Sequence, residues 1–197
     1  MKKPLHHIAQ IMTGTYQKEG VGNDIYYLQA KHFDEHGRLR QGASLTKSLE
    51  LDKRLERHLL TDGDILLVAK GAVNRACVYE QQTGPSVASS TFFVLRLKEQ
   101  NLIPGYLLWL LNTQYYQQLM RSLSKGTQVQ SLSKKALASV EIPIPPLHEQ
   151  QQIIKAAGQW REEQHLIAAL MEQKAIYYEY LLLNLANGKN RNNAQDH

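Results

Sequence analysis

Glu141-Ile142-Pro143-Ile144-Pro145-Pro146-Leu147 divides this 197-residue chain into two parts with different periodicities. Three prolines in four positions remove backbone donors and exclude a helix interior or a central strand, so the segment predicts an extended edge or linker. After it, residues 147–186 hold no proline and one glycine, Gly158. Steps of four and three from Ile153 reach Ala157, Trp160, Gln164, Ile167, Met171, Lys174, Tyr178, Leu181 and Leu185. Eight of these ten positions are apolar or aromatic. That is the repeat of a coiled-coil seam, about 3.5 residues long. A helix over 147–186, rising about 1.5 Å per residue, makes a rod of ~60 Å. Asn187-Gly188 supplies a stop, and the polar residues beyond predict a disordered tail over 187–197.

Before the proline segment the pattern is mostly strands and turns. Asp24–Leu28, Ala76–Tyr79 and Thr91–Leu97 are β-branched and aromatic runs that predict strands. Ile65-Leu66-Leu67-Val68-Ala69, between the Asp62-Gly63-Asp64 turn and Gly71, is unbroken and predicts a strand buried on both faces. Gly84-Pro85 marks the turn between the Ala76–Tyr79 and Thr91–Leu97 strands, and residues 44–60 read as loop or weak helix. Pro104-Gly105 opens an apolar run through Met120 that predicts one helix of about four turns. Ser124-Lys125-Gly126-Thr127-Gln128 breaks it, and Ser133 is the candidate N-cap of a short helix. The expected fold class is mixed α+β. A globular domain of sheet and short helices fills residues 1–146, and a long coiled-coil-like C-terminal helix follows over 147–186.

Hydrophobic residues make up 43% of the chain and charged residues 21%, which fits a soluble globular protein and excludes wholesale disorder. No apolar run is long enough to span a membrane, and Met1-Lys2-Lys3-Pro4 leads into no apolar core of a signal peptide. A single cysteine, Cys77, excludes an internal disulfide and a cysteine-rich zinc site, and fits a cytoplasmic location. The net charge of +5 is unevenly spread. Residues 1–100 carry 14 Lys/Arg against 11 Asp/Glu, residues 101–140 carry four bases and no acid, and residues 141–186 carry three bases and six acids. A polyanion would be drawn to the first 140 residues and not to the rest.

Motifs for catalysis fail on inspection. His148-Glu149-Gln150-Gln151-Gln152 lacks the second imidazole of a zinc-protease helix. His32 and His36 have no third ligand in view, so a metal site is not expected. Gly20-Val21-Gly22 lacks the third glycine and the strand-to-helix setting of a dinucleotide loop. There is no phosphate-binding Walker run and no nucleophile elbow. Cys77 sits in an apolar strand, where a packed thiol is expected. No enzyme activity and no cofactor are expected of this chain.

The segment Gly126-Thr127-Gln128-Val129-Gln130-Ser131-Leu132, then Leu137, Ile142-Pro143-Ile144-Pro145-Pro146-Leu147, Glu149-Gln150 and Ile153-Ile154 closely resembles the DNA specificity subunits of type I restriction–modification enzymes. Gly63-Asp64-Ile65-Leu66, Gly71, the strand Phe92–Leu97 and Pro104-Gly105-Tyr106-Leu107 sit in the order that family shows. The resemblance covers roughly residues 5–186. It implies a target recognition domain that reads double-stranded DNA, and a long helix that spaces two such domains and docks methyltransferase subunits. The family's full-length chains carry two of each part, and this chain carries one of each. A half-subunit that pairs with its copy and a truncated relative both fit that difference. An exposed apolar seam favours the homodimer, with Ile153, Ala157, Trp160, Ile167, Met171, Tyr178 and Leu181 at the interface. Tyr177, Tyr178 and Tyr180 could instead meet a methyltransferase subunit.

DNA contact needs cations for phosphates and amides or guanidiniums for base edges. The loop Lys125, Gly126, Thr127, Gln128 and Gln130 is basic and polar, and its glycine permits close backbone approach. Lys70, Asn74 and Arg75 follow the buried strand. Arg38 and Arg40, with Lys47, Arg54 and Arg57, lie in stretches expected to form variable loops. Lys134 and Lys135 are weaker candidates. A solvated surface is the alternative for each. The reading is a non-catalytic specificity subunit whose partners bring methylation or cleavage to a bipartite target. A stand-alone DNA-binding repressor or decoy, and a protein–protein scaffold, are its rivals. Methyltransferase activity in this chain is not expected, because Ile144-Pro145-Pro146-Leu147 has no asparagine to hold the amino group being methylated.

Overall fold

The computed structural model describes residues 1–18, 20, 22–40, 45–71, 73–126 and 130–187. Its compact units are Met1–Ile154 and Lys155–His197. The first is built on a four-stranded antiparallel sheet. In spatial order its strands are β2 (Ala9–Thr13), β8 (Phe92–Leu97), β5 (Ile65–Val68) and β6 (Ala76–Val78). Two smaller sheets accompany it. One joins β1 (Lys2–Pro4) to β9 (Glu141–Pro143), and the other orders β4 (Lys47–Leu49), β3 (Ile25–Leu28) and β7 (Ser86–Ala88). The β3–β7 pair is parallel.

Alternation along the strands divides the interior into two layers. Ile65, Leu67, Phe93 and Leu95 face a core formed with α1 (Leu5–Ile8), α3 (Pro104–Asn112), α4 (Gln114–Leu123) and α5 (Lys134–Ala138). Leu66, Val68, Phe92 and Val94 face the other way, onto Leu28, Phe33, Leu60 and Ala88. The sheet is therefore covered on both sides, which is why β5 reads as an unbroken apolar run. A small satellite core joins Ile25, Tyr27, Leu49, Leu55 and Val87.

Three sequence expectations need correction. The run from Pro104 to Met120 is two helices, because Thr113 leaves helical geometry at ψ 150° and its hydroxyl accepts the Tyr116 N–H. Gly84-Pro85 does not lead directly into the Thr91 strand, since β7 intervenes and pairs with β3. Residues 44–60, described from Leu45 onward, contain β4 and a four-residue helix, α2 (Lys53–Glu56). The Asp52 carboxylate caps α2 through the Arg54 and Leu55 N–H groups. Ser133 caps α5 as expected, accepting from Ala136 N–H at 3.1 Å.

The proline segment is an edge: among the described residues β9 pairs with β1 alone, which ties the N-terminus to it. Helix α6 then spans Leu147–Ala186. Its first two turns belong to the first compact unit. There Ile153 and Ile154 pack against the core. The fully buried Gln150 accepts the Ile103 N–H and donates to the carbonyls of Asn101 and Pro145. In the second unit the helix leaves Trp160 61% exposed, with Ile167, Met171 and Tyr178 also exposed and Leu181 partly so. No described helix is long and apolar enough to cross a membrane. Residues 188–197, most of the expected disordered tail, lie outside the described residues.

Candidate nucleic-acid interface

The loop after α4 closes on itself. Lys125 and Ser131 exchange backbone hydrogen bonds of 3.1 and 2.9 Å, and Gly126 takes φ +121°, a conformation that suits glycine. Thr127 and Gln128 lie outside the described residues. The returning strand of this loop runs beside the exit of β5: Gly71 N–H donates to Gln130 O, and Leu132 N–H donates to Ala69 O. Lys70 forms a bridge with Ser131. Two stretches separated by more than 50 residues in the sequence thus become neighbours, with Lys70, Lys125 and Gln130 all exposed.

Two more segments reach the same end of the four-stranded sheet. Ala69 N–H donates to Thr91 O, while Gly14 and Thr15 donate to Phe92 O and Ala88 O. The end is therefore assembled from residues 14–18, 69–71, 73–75, 89–91, 124–126 and 130–131. Among the described residues of these segments, every charged side chain is a base: Lys18, Lys70, Arg75 and Lys125. The opposite end, before β5 and after β8, holds Asp62, Asp64, Glu80 and Glu99. There Asp64, only 1% exposed, accepts two hydrogen bonds from Arg96, at 3.0 and 2.7 Å, and two more from Thr61. Lys3 pairs with Glu99.

The structure sorts the residues singled out from sequence. Lys70, Lys125, Gly126, Gln130 and the half-buried Arg75 come together at the basic end. Asn74 is a correction: it is 4% exposed, and its side-chain N–H donates to Val68 O at 2.9 Å. Its carbonyl accepts from Gln117, so Asn74 staples the loop and does not face outward. Arg38 and Arg40 belong to a turn stitched to the outer edge of β6 by Val78 N–H to Gly37 O. Asp34 accepts the Arg38 backbone N–H, and Arg40 donates through Nε to Phe33 O. Lys47, Arg54 and Arg57 lie on β4 and around α2, and Lys134 and Lys135 on α5; all five are exposed. Cys77 is buried, and burial above all pushes its thiol up to about 12; Asp34 raises it further and Arg75 opposes. It is a packing thiol.

Sequence reading missed Tyr16, Gln17, Lys18, Lys31, Ser90 and Thr91. The first three follow β2, a strand with no clear apolar alternation in Ala9-Gln10-Ile11-Met12-Thr13. The only advance signal was a polar, glycine-led run ending in a base, Gly14-Thr15-Tyr16-Gln17-Lys18. Among the described residues no group of three or more His, Cys, Asp or Glu could hold a metal ion.

Comparison with known proteins adds the family. The chain is 31% identical over 97 residues to the type I restriction enzyme MjaVIII specificity subunit of Methanocaldococcus jannaschii, a match covering 49% of this chain and 22% of the relative. A chain from a structure of a type I R-M system shares the fold at TM-score 0.65 and 23% identity, covering 92% of this chain and 42% of that one. The HsdS subunit from Thermoanaerobacter tengcongensis does so at TM-score 0.56 and 23% identity, covering 83% and 37%. The chain thus spans less than half the length of each of these. Residues 40–170 match the family described as the type I restriction modification DNA specificity domain, and to that family this chain belongs.

Proposed function

We propose that this chain is a non-catalytic specificity subunit that reads double-stranded DNA with its first compact unit. On this reading it pairs with a second copy through α6 and recruits methyltransferase subunits to a bipartite target. The observation that carries DNA recognition is the end of the four-stranded sheet where four loops converge and where every charged side chain among their described residues is a base. Exposed cations attract phosphates, and the serine, threonine and glutamine side chains among them match base edges in hydrogen-bonding capacity. Lys70, Lys125 and Arg75 would anchor phosphates, with Gln17 and Gln130 as readers.

The exposed seam of α6 supports the homodimer. Trp160, Ile167, Met171 and Tyr178 present apolar surface that a second helix of the same repeat would cover. Two-fold pairing makes the target palindromic and interrupted. Tyr177 and Tyr180, beside the seam, are the proposed contact for a methyltransferase subunit.

Selection of oligonucleotides from a random duplex pool, with the cognate methyltransferase subunit present, tests this reading. A two-fold symmetric, gapped consensus is expected. A one-sided consensus overturns the homodimer, and no enrichment overturns DNA recognition. Tight specific binding by a chain that never co-purifies with a methyltransferase subunit points to the repressor or decoy.

A further inference from the structure

The basic end of the sheet carries a cavity of about 420 Å³ whose walls include Tyr16, Tyr27, Lys31, Ser90 and Thr91. That volume falls within the range of roughly 300–1,000 Å³ typical of small-molecule sites. Its rim holds an exposed aromatic. Tyr16 is 80% exposed, and its backbone is pinned on both sides by one hydroxyl: Tyr27 donates to Thr15 O at 3.0 Å and accepts the Gln17 N–H at 3.3 Å. Thr15 N–H is held by Ala88 O at 2.9 Å. Gly14 is pressed so tightly on the 88–89 backbone that an added Cβ would lie 2.1 Å from Ser89 O. This segment therefore holds a large ring in water on a fixed base, against the hydrophobic effect.

We propose, building on the DNA-binding reading above, that this cavity takes one unstacked nucleobase, with Tyr16 stacking on its face. Every base offers a π-face to a tyrosine ring, and the half-exposed Ser90 and Thr91 offer hydroxyls to the base edge. Lys18 and Lys31, both exposed, suit the phosphates on either side of the displaced nucleotide. The walls join the Tyr16 and Tyr27 rings to the side chains of Gln17, Ser89, Ser90 and Thr91, a mixture that suits a flat aromatic with a polar edge. A stacked duplex keeps its base faces covered, so a ring held out in this way has full use only where one base leaves the stack.

The test compares two mixed-sequence duplexes at low salt, one fully paired and one with a single unpaired 2-aminopurine. Wild type is expected to bind the second at least about tenfold more tightly, because its base is already unstacked. Tyr16→Phe keeps that ratio. Tyr16→Ala lowers it to about twofold or less, with an unchanged urea midpoint showing that the fold is intact. Lys70→Ala with Lys125→Ala weakens both duplexes alike and leaves the ratio in place. Equal binding of the two duplexes by wild type, or a ratio retained in Tyr16→Ala, overturns the nucleobase pocket alone. Absence of binding to either duplex overturns the DNA-binding reading and the pocket together.

Discussion

The two ends of the four-stranded sheet treat charge in opposite ways. Before β5, acids and bases meet each other: Asp64 is locked to Arg96, and Lys3 reaches Glu99. After β5, Lys70, Lys125 and Lys18 stand exposed among hydroxyls and amides, with no acid among the described residues of their segments. One set of charges is consumed by the fold, and the other stays exposed to solvent. Composition alone shows only a mildly basic chain. The separation of the two sets is what makes its charge meaningful.

Removing a partner at the acidic end gives the largest effect. Arg96→Leu leaves the buried Asp64 carboxylate facing only Thr61 and also strips a donor from Leu59 O. The expected loss is roughly 2–4 kcal/mol of stability, the cost of stranding a buried carboxylate less what solvent at the partly exposed Arg96 position recovers. It is read from the urea midpoint at constant slope. A loss below about 1 kcal/mol would mean that water reaches Asp64 and that the two ends are alike.

Gln150→Leu comes next. It leaves the Ile103 N–H and the carbonyls of Asn101 and Pro145 without their buried amide, for about 2–3 kcal/mol. Amide hydrogen exchange at Ile103 should accelerate at the same time. At the basic end the signature reverses. Lys70→Ala with Lys125→Ala should change stability by less than about 0.5 kcal/mol yet reduce duplex affinity about tenfold at low salt. Their removal should also lessen the slope of log affinity against log salt by about 2, one for each phosphate contact. A large fall in stability without a change in salt slope would erase the distinction between the ends.

The smallest signal is that of Cys77. With its thiol pushed up to about 12, about one molecule in ten thousand is thiolate at pH 8, so a disulfide reagent should label it only after denaturation.

Much of this was legible in the amino-acid order because it rests on near neighbours. The prolines at 143, 145 and 146 forbid regular central structure wherever they fall. The seam from Ile153 to Leu185 is a periodicity of one segment, and the Ser133 cap is a contact over three residues. The break at Thr113 escaped notice because apolar residues continue on both sides of it, and only the capping hydroxyl marks it. Sequence also pointed to the resemblance borne out by the family match.

What tertiary structure alone decided was which distant residues share a surface. Nothing near Lys70 in the chain announces Lys125, and nothing near Tyr16 announces Ser90 or Lys31. It also turned Asn74 inward, by giving its amide a carbonyl six residues away. The physical reason is the sheet itself. Antiparallel pairing brings the ends of strands far apart in sequence to one edge, and that adjacency depends on register, which is settled only when both faces of the sheet are covered.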